Sequence, residues 1–450
     1  MIFSQSTALL TDMYELTMIE SAFATGRADV PCVFEVFGRW LPGQRRYGVV
    51  AGTARILEAL REFRFTEGEL TYLRDANVVG ERTLEYLKNW EFTGDIYGYA
   101  EGECYFPYSP LLTVVGTFAE CVVLETLVLS ILNYDSAVAT AASRVTIAAH
   151  DRPCLEMGAR RTHEYSAVAA ARAAVIGGFV GTSDLEAGRR YGISTIGTAA
   201  HSFTLLHENE EEAFDAQIST LGPNTTLLVD TYSIPTGVER AVAAARRAGG
   251  ELGAVRIDSG DLVAQAFKVR EQLDSLGATT TKITVTSDLD EYAIAALNAA
   301  PVDSYGVGTK LVTGSGHPTA QLVYKLVARQ DDSGEWVPVQ KKAESKGSRG
   351  GLKVAGRRND VTGRATAELI VTADSFAEGV AYIKEQGARP LQVKLVDGGV
   401  INDEYVNASA LGRAAERHRS SRAALPYAAW RLSEGEPGLP TEFVDLHAQL

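Results

Sequence analysis

The feature that most constrains the fold is a regular alternation of short apolar runs and helix-period segments, which begins near residue 170. The clearest apolar runs cover residues 226–229, 254–257, 283–286 and 305–307, and helical patterns at 237–247, 262–276 and 289–299 separate them. Strands joined through helices run parallel, because antiparallel neighbours need only a short turn. Repeated units of this kind form either a closed β/α barrel or an open doubly wound sheet.

Polar side chains at the ends of these runs favour the barrel. A barrel takes its active-site residues from the loops after many strands, whereas an open sheet concentrates them at one switch point. Here polar residues of catalytic type follow at least four successive runs: His201, Asp230, Arg256 with Asp258, and Ser287 with Asp288. We therefore predict an α/β fold built on a complete or incomplete β/α barrel.

The two ends of the chain lack the strand–helix repeat and predict a second domain. Residues 322–328 and 335–340 flank the turn sequence Asp331-Asp-Ser-Gly334 and predict a hairpin, with further strands near 352–355 and 367–372. The first 110 residues mix helix and strand. We expect residues 1–115 and 331–450 to form one α+β domain, with the barrel, residues 116–330, between them.

Composition excludes several classes of function. The formal net charge of -14 argues against a protein that coats duplex nucleic acid, which would carry a basic face. The four cysteines are far apart and form no Cys-x-x-Cys pair, so free buried thiols are expected rather than disulfides or a zinc site. Asp12 and Glu15 interrupt the first apolar stretch, so a secretion signal is not expected and the protein is predicted to be cytoplasmic.

The most apolar stretch, residues 111–132, carries two carboxylates. Glu120 and Glu125 would be costly in lipid but ordinary on the solvent side of a helix. We predict a core helix here and no membrane partner.

His201 is the sharpest candidate for chemistry. It follows the short run 194–196 and a Gly-Thr turn, where the backbone can approach a ligand closely. Imidazole can serve as a general base, a metal ligand or a nucleophile toward phosphorus. The alternative is a hydrogen-bonded core histidine.

Arg256 and Asp258 form a second candidate group. Strand alternation places both side chains on one face, where a guanidinium can bind an anion bidentately and a carboxylate can hold Mg²⁺ or orient a hydroxyl. The alternative is a structural ion pair that caps the following helix.

Two further segments are suited to anions. Gly308 and Thr309, followed by Lys310, come after a late strand and offer backbone N–H groups, a hydroxyl and a cation to a phosphate, although an ordinary loop explains the same pattern. Residues 341–358 contain seven Lys or Arg and one Glu, which fits either a solvated loop or a lid over a polyanion, in its own subunit or a partner's.

Several blocks in register give the chain a resemblance to the nicotinate phosphoribosyltransferase family, and it runs nearly from end to end. The blocks are Leu9-Leu-Thr-Asp12-Met-Tyr14-Glu-Leu-Thr, residues 34–42 with Arg39, Glu156-Met-Gly-Ala-Arg160-Arg161, Gly177-Gly-Phe-Val-Gly-Thr-Ser183, Gly197-Thr198-Ala-Ala-His201-Ser, residues 255–261, and Tyr305-Gly-Val-Gly308-Thr309-Lys-Leu-Val-Thr313.

The resemblance implies the barrel of the type II phosphoribosyltransferases and a reaction in NAD salvage. Phosphoribose would pass from phosphoribosyl pyrophosphate (PRPP) to the ring nitrogen of nicotinate, giving nicotinate mononucleotide and pyrophosphate, and ATP hydrolysis would be coupled to it through a phosphohistidine. Mg²⁺ is implied as the cofactor and a homodimer as the assembly. Nicotinate, PRPP and ATP are the implied partners, and nucleic acid is not one.

The resemblance also implies roles for individual residues. His201 would carry the phosphohistidine. Asp258 is a second catalytic candidate from its own chemistry and not from the resemblance. The nicotinate site would comprise Tyr14, Thr198 and Arg256, where a ring can stack on pyridine and a guanidinium can neutralise its carboxylate. The PRPP contacts would be Gly308, Thr309, Arg160 and Arg161, with Arg39 and Arg144 as weaker candidates. No metal ligand is assigned.

Two rival functions remain open at this stage. A nicotinamide phosphoribosyltransferase would use the same barrel but hold a neutral amide, a substrate for which Arg256 is less suited. A non-catalytic protein that senses nucleotides on the same scaffold is the rival of a different class, and intact Tyr14, Arg256, His201 and Thr309 argue against it. Quinolinate transfer fits less well, because it needs pockets for two carboxylates.

Overall fold

The structure is a computed structural model that describes residues 5–340 and 349–447. The chain divides into two compact units. The first, unit 1, comprises Met1–Thr140 and His317–Leu450, and the second, unit 2, comprises Ala141–Gly316. The domain limits given above, 1–115, 116–330 and 331–450, stay a prediction.

The described part of the chain alternates helices and strands along most of its length. The helices are α1 (Met13–Ala24), α2 (Thr53–Arg61), α3 (Glu67–Asp75), α4 (Glu81–Lys88), α5 (Phe118–Val122), α6 (Glu125–Ala149), α7 (Glu164–Ile176), α8 (Leu185–Tyr191), α9 (His201–Leu206), α10 (Glu210–Leu221), α11 (Ile234–Arg247), α12 (Leu262–Ser275), α13 (Glu291–Leu297), α14 (Thr309–Val312), α15 (Phe376–Glu385) and α16 (Ala410–Ala423). The strands are β1 (Pro31–Gly38), β2 (Gly48–Val49), β3 (Asp95–Tyr99), β4 (Cys104–Tyr105), β5 (Leu112–Thr117), β6 (Cys154–Glu156), β7 (Gly181–Thr182), β8 (Thr226–Leu228), β9 (Ala254–Ile257), β10 (Lys282–Val285), β11 (Ser304–Val307), β12 (Leu322–Gln330), β13 (Trp336–Pro338), β14 (Leu352–Asn359), β15 (Ala365–Ala373), β16 (Arg389–Pro390), β17 (Gln392–Asp397), β18 (Val400–Ile401) and β19 (Thr441–Asp445).

Unit 2 is an incomplete β/α barrel. Its six parallel strands pair in the order β7-β6-β11-β10-β9-β8. Apolar strand residues such as Val255, Ile283 and Tyr305 are completely buried, as expected for strands covered on both faces. The predicted α/β fold with an incomplete barrel is confirmed.

Side-chain caps start the helices that follow these strands. Asp261 accepts a hydrogen bond from the Ala264 N–H and begins α12, and Asp290 accepts from the Tyr292 and Ala293 N–H groups and begins α13. Such caps satisfy N–H groups that have no partner within the helix. Because the strands of this sheet are parallel, the polar residues that follow them lie at the same end of the sheet.

Unit 1 is mixed α/β and mainly antiparallel in its largest sheet, whose strand order is β13-β12-β1-β5-β3-β17-β18. A four-stranded sheet, β16-β14-β15-β19, and the β2-β4 pair complete the strands described in this unit. The predicted hairpin corresponds to β12 and β13, which pair antiparallel with Ala328 opposite Pro338. The predicted strands near 352–355 and 367–372 lie within β14 and β15.

The prediction of one core helix over residues 111–132 was wrong in its first part. Residues Leu112–Thr117 form β5, because they pair with β1 and β3 in the largest sheet. Glu120 is also not on a solvent face, since it is 6% exposed and accepts hydrogen bonds from Thr117 and Thr93. The carboxylate closes a capping box at the start of α5.

The segment Phe118–Ala149 is long and apolar enough to cross a membrane by length and composition alone. However, 67% of its most apolar window is buried within the protein, which is typical of a core helix.

The cysteines and the described half of the basic stretch are packed in the structure. All four cysteines are free and buried.

The cations of the basic stretch from residue 352 onward are paired with carboxylates. Lys353 lies 3.2 Å from Glu35, and Arg357 contacts Glu103 and Glu368, with less than a twentieth of either cation exposed. From residue 352 onward the stretch therefore belongs to strand β14 and is neither a solvated loop nor a lid, while residues 341–348 lie outside the described residues.

Candidate active site

A cavity of about 740 Å³ opens where the parallel strands of unit 2 end. Eight residues predicted from the sequence line it: Arg160, Arg161, Thr198, His201, Arg256, Asp258, Gly308 and Thr309. These positions are up to about 150 residues apart in the chain. The barrel brings them together because each lies at the carboxyl end of a parallel strand or in the segment after it.

Arg256 is held by hydrogen bonds from each of its three nitrogens. Nε donates to the Thr286 hydroxyl at 2.9 Å, Nη1 donates to the Thr198 hydroxyl at 3.3 Å, and Nη2 donates to Asp258 Oδ2 at 3.0 Å. Its side chain is 12% exposed. The guanidinium plane is thus fixed, and N–H groups remain available for a planar anion.

His201 begins α9 and its ring is 44% exposed. Its Nδ1 lies 3.1 Å from the Thr231 hydroxyl, and its Nε2 lies 3.9 Å from Asp230 Oδ1. The Asp230 carboxylate is 1% exposed and accepts hydrogen bonds through Oδ2 from the Asp258 N–H and the Ser259 hydroxyl. The imidazole therefore stands between a hydroxyl and a buried negative charge.

Asp230 Oδ1 has no hydrogen-bond partner in the described part of the chain, although it is fully buried. A buried carboxylate oxygen is expensive to leave unpaired, so this atom is poised for a cation or a donated proton. His201 Nε2, which lies 3.9 Å away, can supply either one.

The glycine-rich turn after β11 forms another part of the wall. Thr309 begins α14, and Gly308 precedes it. A Cβ at Gly306 would lie 2.6 Å from both Met157 Sδ and Thr286 Cγ2, so the strand requires glycine at this position. The close approach keeps the β11 backbone against β6 and β10.

Arg160 and Arg161 lie in a 3₁₀ turn after β6 and are not buried. The turn is anchored by Glu156, which accepts hydrogen bonds from the Gly158 N–H and the Thr182 hydroxyl. Burial raises the pKa of the Glu156 carboxyl, although these hydrogen bonds oppose the shift. Both guanidiniums are therefore exposed cations on a fixed support.

Two residues of the sequence analysis are placed differently. Tyr14 belongs to unit 1, where it lies in the first turn of α1 and is 45% exposed. Its burial, and the carboxylate of Glu125, raise the pKa of its hydroxyl to about 12. Arg144 is buried and paired with Glu291 at 2.8 Å, which makes it a structural cation.

Residues 5–340 and 349–447 contain no group of three or more His, Cys, Asp or Glu side chains that could hold a metal ion. Mg²⁺ commonly binds through one or two carboxylates together with substrate phosphates. Asp258 and Asp288 line the cavity, and Asp230 has its unpartnered oxygen beside His201. These carboxylates fit a Mg²⁺ ion that arrives with a phosphorylated substrate.

Comparison with known proteins assigns the family. The model of the nicotinate phosphoribosyltransferase N-terminal domain matches residues 9–133, and that of the nicotinate phosphoribosyltransferase family matches residues 153–361. Nicotinate phosphoribosyltransferase pncB1 of Mycobacterium tuberculosis is 53% identical over 444 residues, which cover 97% of this chain and 95% of the relative. This chain belongs to the nicotinate phosphoribosyltransferase family. The resemblance drawn from the sequence blocks is confirmed.

Another relative supports this assignment, and two solved structures share the fold. The nicotinate phosphoribosyltransferase of Bacillus subtilis is 39% identical over 333 residues, which cover 73% of this chain and 68% of the relative. The crystal structure of human nicotinic acid phosphoribosyltransferase superposes with a TM-score of 0.79 at 23% identity, covering 96% of this chain and 97% of the human one. Nicotinate-nucleotide pyrophosphorylase from Pyrococcus furiosus gives 0.73 at 22% identity, covering 92% and 96%. At these identities the two superpositions establish the fold.

Sequence reasoning gave no role to Thr286 and Thr231, which contact residues of the cavity. Both are threonines next to strand ends, and their importance lies in hydrogen bonds to Arg256 and His201. Asp230 was noted at the end of its strand but was given no role. The one available signal was position, since each directly follows or ends an apolar run.

Proposed function

We propose that this chain transfers phosphoribose from PRPP to nicotinate, giving nicotinate mononucleotide and pyrophosphate, and that it couples this transfer to ATP hydrolysis through His201. The observation that carries the proposal is a cavity in unit 2 that is lined by Arg256, His201 and Thr309 together. Membership of the nicotinate phosphoribosyltransferase family supports the same reaction.

Nicotinate would bind through its carboxylate to Arg256. A guanidinium carries donors only, so it matches the two oxygens of a carboxylate and has no acceptor for the NH₂ group of nicotinamide. The hydroxyl of Thr198 and the carboxylate of Asp258 already receive hydrogen bonds from Arg256. The arrangement therefore favours the acid over the amide. The stacking role of Tyr14 that the family resemblance implies stays a prediction.

The sugar phosphate would occupy the part of the cavity lined by Gly308 and Thr309. Backbone N–H groups at a helix start and a hydroxyl suit a phosphate. Arg160 and Arg161 are the exposed cations that we assign to the pyrophosphate. As this group departs, the ribose acquires oxocarbenium character, and catalysis consists mainly of positioning and of charge stabilisation.

Asp258 would accept a hydrogen bond from a ribose hydroxyl. Asp258 and Asp288 are the cavity-lining carboxylates that would hold Mg²⁺, with Asp230 beside His201. When bound, the ion would neutralise charge on the pyrophosphate.

His201 would accept the γ-phosphoryl group of ATP. Attack by the neutral imidazole leaves positive charge on the ring, and the buried Asp230 carboxylate, 3.9 Å from Nε2, stabilises that charge. The phosphoryl group then adds roughly two negative charges. Those charges would attract neighbouring cations such as Arg160 and alter the affinity for PRPP.

One assay tests the proposal. The full-length chain is incubated with PRPP, Mg²⁺ and ATP, and with nicotinate, nicotinamide or no base, and mononucleotide and ADP are measured together. We expect nicotinate mononucleotide and ADP to form together, with little product from nicotinamide. Efficient turnover of nicotinamide would favour the rival transferase, and ligand binding without any product would favour a sensor. A homodimer and a cytoplasmic location are part of the proposal and are tested by sedimentation and by cell fractionation.

A further inference from the structure

We propose that Thr286 is a positioning residue that orients Arg256 and thereby sets the preference for a pyridine carboxylate. The inference rests on the proposed function, which it deepens. Thr286 is buried, with 3% of the residue exposed, and its hydroxyl contacts both members of the Arg256–Asp258 ion pair.

The Thr286 hydroxyl bridges the ion pair. Its oxygen accepts a hydrogen bond from Arg256 Nε at 2.9 Å and its proton is donated to Asp258 Oδ1 at 2.7 Å. Asp258 Oδ2 meanwhile accepts from Arg256 Nη2 at 3.0 Å. The guanidinium and the carboxylate are thus joined both directly and through a hydroxyl, which fixes their mutual orientation more firmly than one hydrogen bond would.

The bridge determines which edge of the guanidinium a ligand can use. A guanidinium has one N–H on Nε and two on each Nη, and it binds a carboxylate along either the Nε–Nη edge or the Nη–Nη edge. With Nε committed to Thr286 and each Nη making one hydrogen bond to protein, the remaining donors are one N–H on each Nη. A ligand carboxylate is therefore excluded from the Nε–Nη2 edge, which Thr286 and Asp258 occupy, and this restricts the orientation of the pyridine ring.

The fold of this region does not depend on the hydroxyl. The Thr286 N–H donates to the Ile257 carbonyl at 2.9 Å and continues the β9–β10 ladder. The Cγ2 methyl is the group that packs against Gly306. Valine keeps this methyl and suits a strand, so Thr286→Val removes the bridge while preserving the backbone and the packing.

Strand β10, which ends one residue before Thr286, provides a matched control. Thr284 is also buried and lies on the same face of β10, and its hydroxyl exchanges a 2.8 Å hydrogen bond with Ser304 and none with Arg256. Thr284→Val therefore makes the same chemical change two positions away. Thr286→Ser restores the hydroxyl without the methyl and serves as the rescue.

The experiment measures steady-state kinetics of the four full-length proteins for nicotinate, nicotinamide and PRPP, with thermal melting as a check of folding. We expect Thr286→Val to raise KM for nicotinate about tenfold, the factor for a lost hydrogen bond to a charged group, and to lower the ratio of kcat/KM for nicotinate over nicotinamide. KM for PRPP should rise less than KM for nicotinate, because Asp258 keeps its direct hydrogen bond to Arg256 when the Thr286 hydroxyl is removed. Thr286→Ser and Thr284→Val should resemble wild type.

Three outcomes would overturn the inference: Thr286→Val matches Thr284→Val, KM for PRPP rises as much as KM for nicotinate, or Thr286→Ser fails to restore the wild-type constants. If Thr286→Val does not fold, Thr286→Ala removes the same hydroxyl and must give the same change in KM. Calorimetric titration with nicotinate alone separates the two proposals. An inactive wild type contradicts the proposed function, whereas equal nicotinate affinity in wild type and Thr286→Val contradicts the role of Thr286.

Discussion

Replacing Asp230 by asparagine is the sharpest test of the proposed phosphohistidine. The substitution keeps the size of the side chain and an oxygen for the Asp258 N–H and the Ser259 hydroxyl, but it removes the negative charge 3.9 Å from His201 Nε2. Two unit charges at about 4 Å attract by about 4 kcal/mol at an effective dielectric constant of 20. The His201 ring is 44% exposed, and solvent screening lowers the attraction to about 2–3 kcal/mol.

This energy stabilises the positive charge that develops on the ring during attack on ATP. Its loss should slow phosphorylation of the enzyme by about 10²-fold. The assay is single-turnover transfer from γ-labelled ATP to the protein, together with the ratio of ADP to nicotinate mononucleotide at steady state.

Asp261→Asn is the matched control. Asp261 follows the neighbouring strand, caps α12 through the Ala264 N–H, and lies outside the lining of the cavity. Asparagine also caps helices well, so phosphorylation should remain at the wild-type rate. Wild-type phosphorylation in Asp230→Asn, or an equal loss in Asp261→Asn, would refute the electrostatic role of Asp230.

Three further predictions concern other parts of the chain. His201→Ala should abolish ATP-dependent stimulation while leaving some transferase activity; unchanged coupling of ADP to mononucleotide in this variant would exclude His201 from the mechanism. Arg256→Gln should raise KM for nicotinate by at least about 30-fold, because a desolvated charge pair contributes about 2–5 kcal/mol, and a nicotinate titration curve like that of wild type would contradict the site. Burial raises the pKa of Glu15 to about 7 from an ordinary value of 4.5, so the folded chain holds an extra proton between these pH values and its free energy of unfolding should fall as pH rises through that range. Glu15→Gln should flatten this fall in denaturant titrations at pH 5 and pH 8, and identical pH dependence in both proteins would show that Glu15 is ionised when folded.

Burial, and not hydrogen bonding, causes this shift in the pKa of Glu15. The Thr126 N–H and hydroxyl donate to Glu15 Oε1 at 2.9 Å and 2.7 Å, which favours the ionised carboxyl and opposes the shift.

Repetition along the chain made the barrel predictable. Short apolar runs separated by helical segments imply parallel strands, and the cap residues Asp261 and Asp290 mark where helices begin. The same local rules failed at residues 111–132, because an apolar stretch pairs as a strand only when partner strands are available. The partner strands here are β1 (Pro31–Gly38) and β3 (Asp95–Tyr99). Neither lies within residues 111–132, so that stretch alone could not reveal the pairing.

The sequence by itself determined which residue types follow each strand, and family blocks in register determined the family. His201, Arg256 and Thr309 were therefore identifiable from the order of residues alone. The tertiary structure alone decided that Thr286 bridges Arg256 and Asp258, that an oxygen of Asp230 is buried without a partner, and that Arg144 is occupied by Glu291. Hydrogen-bond geometry depends on which strands become neighbours and in what register, and local sequence carries no record of contacts made between distant segments.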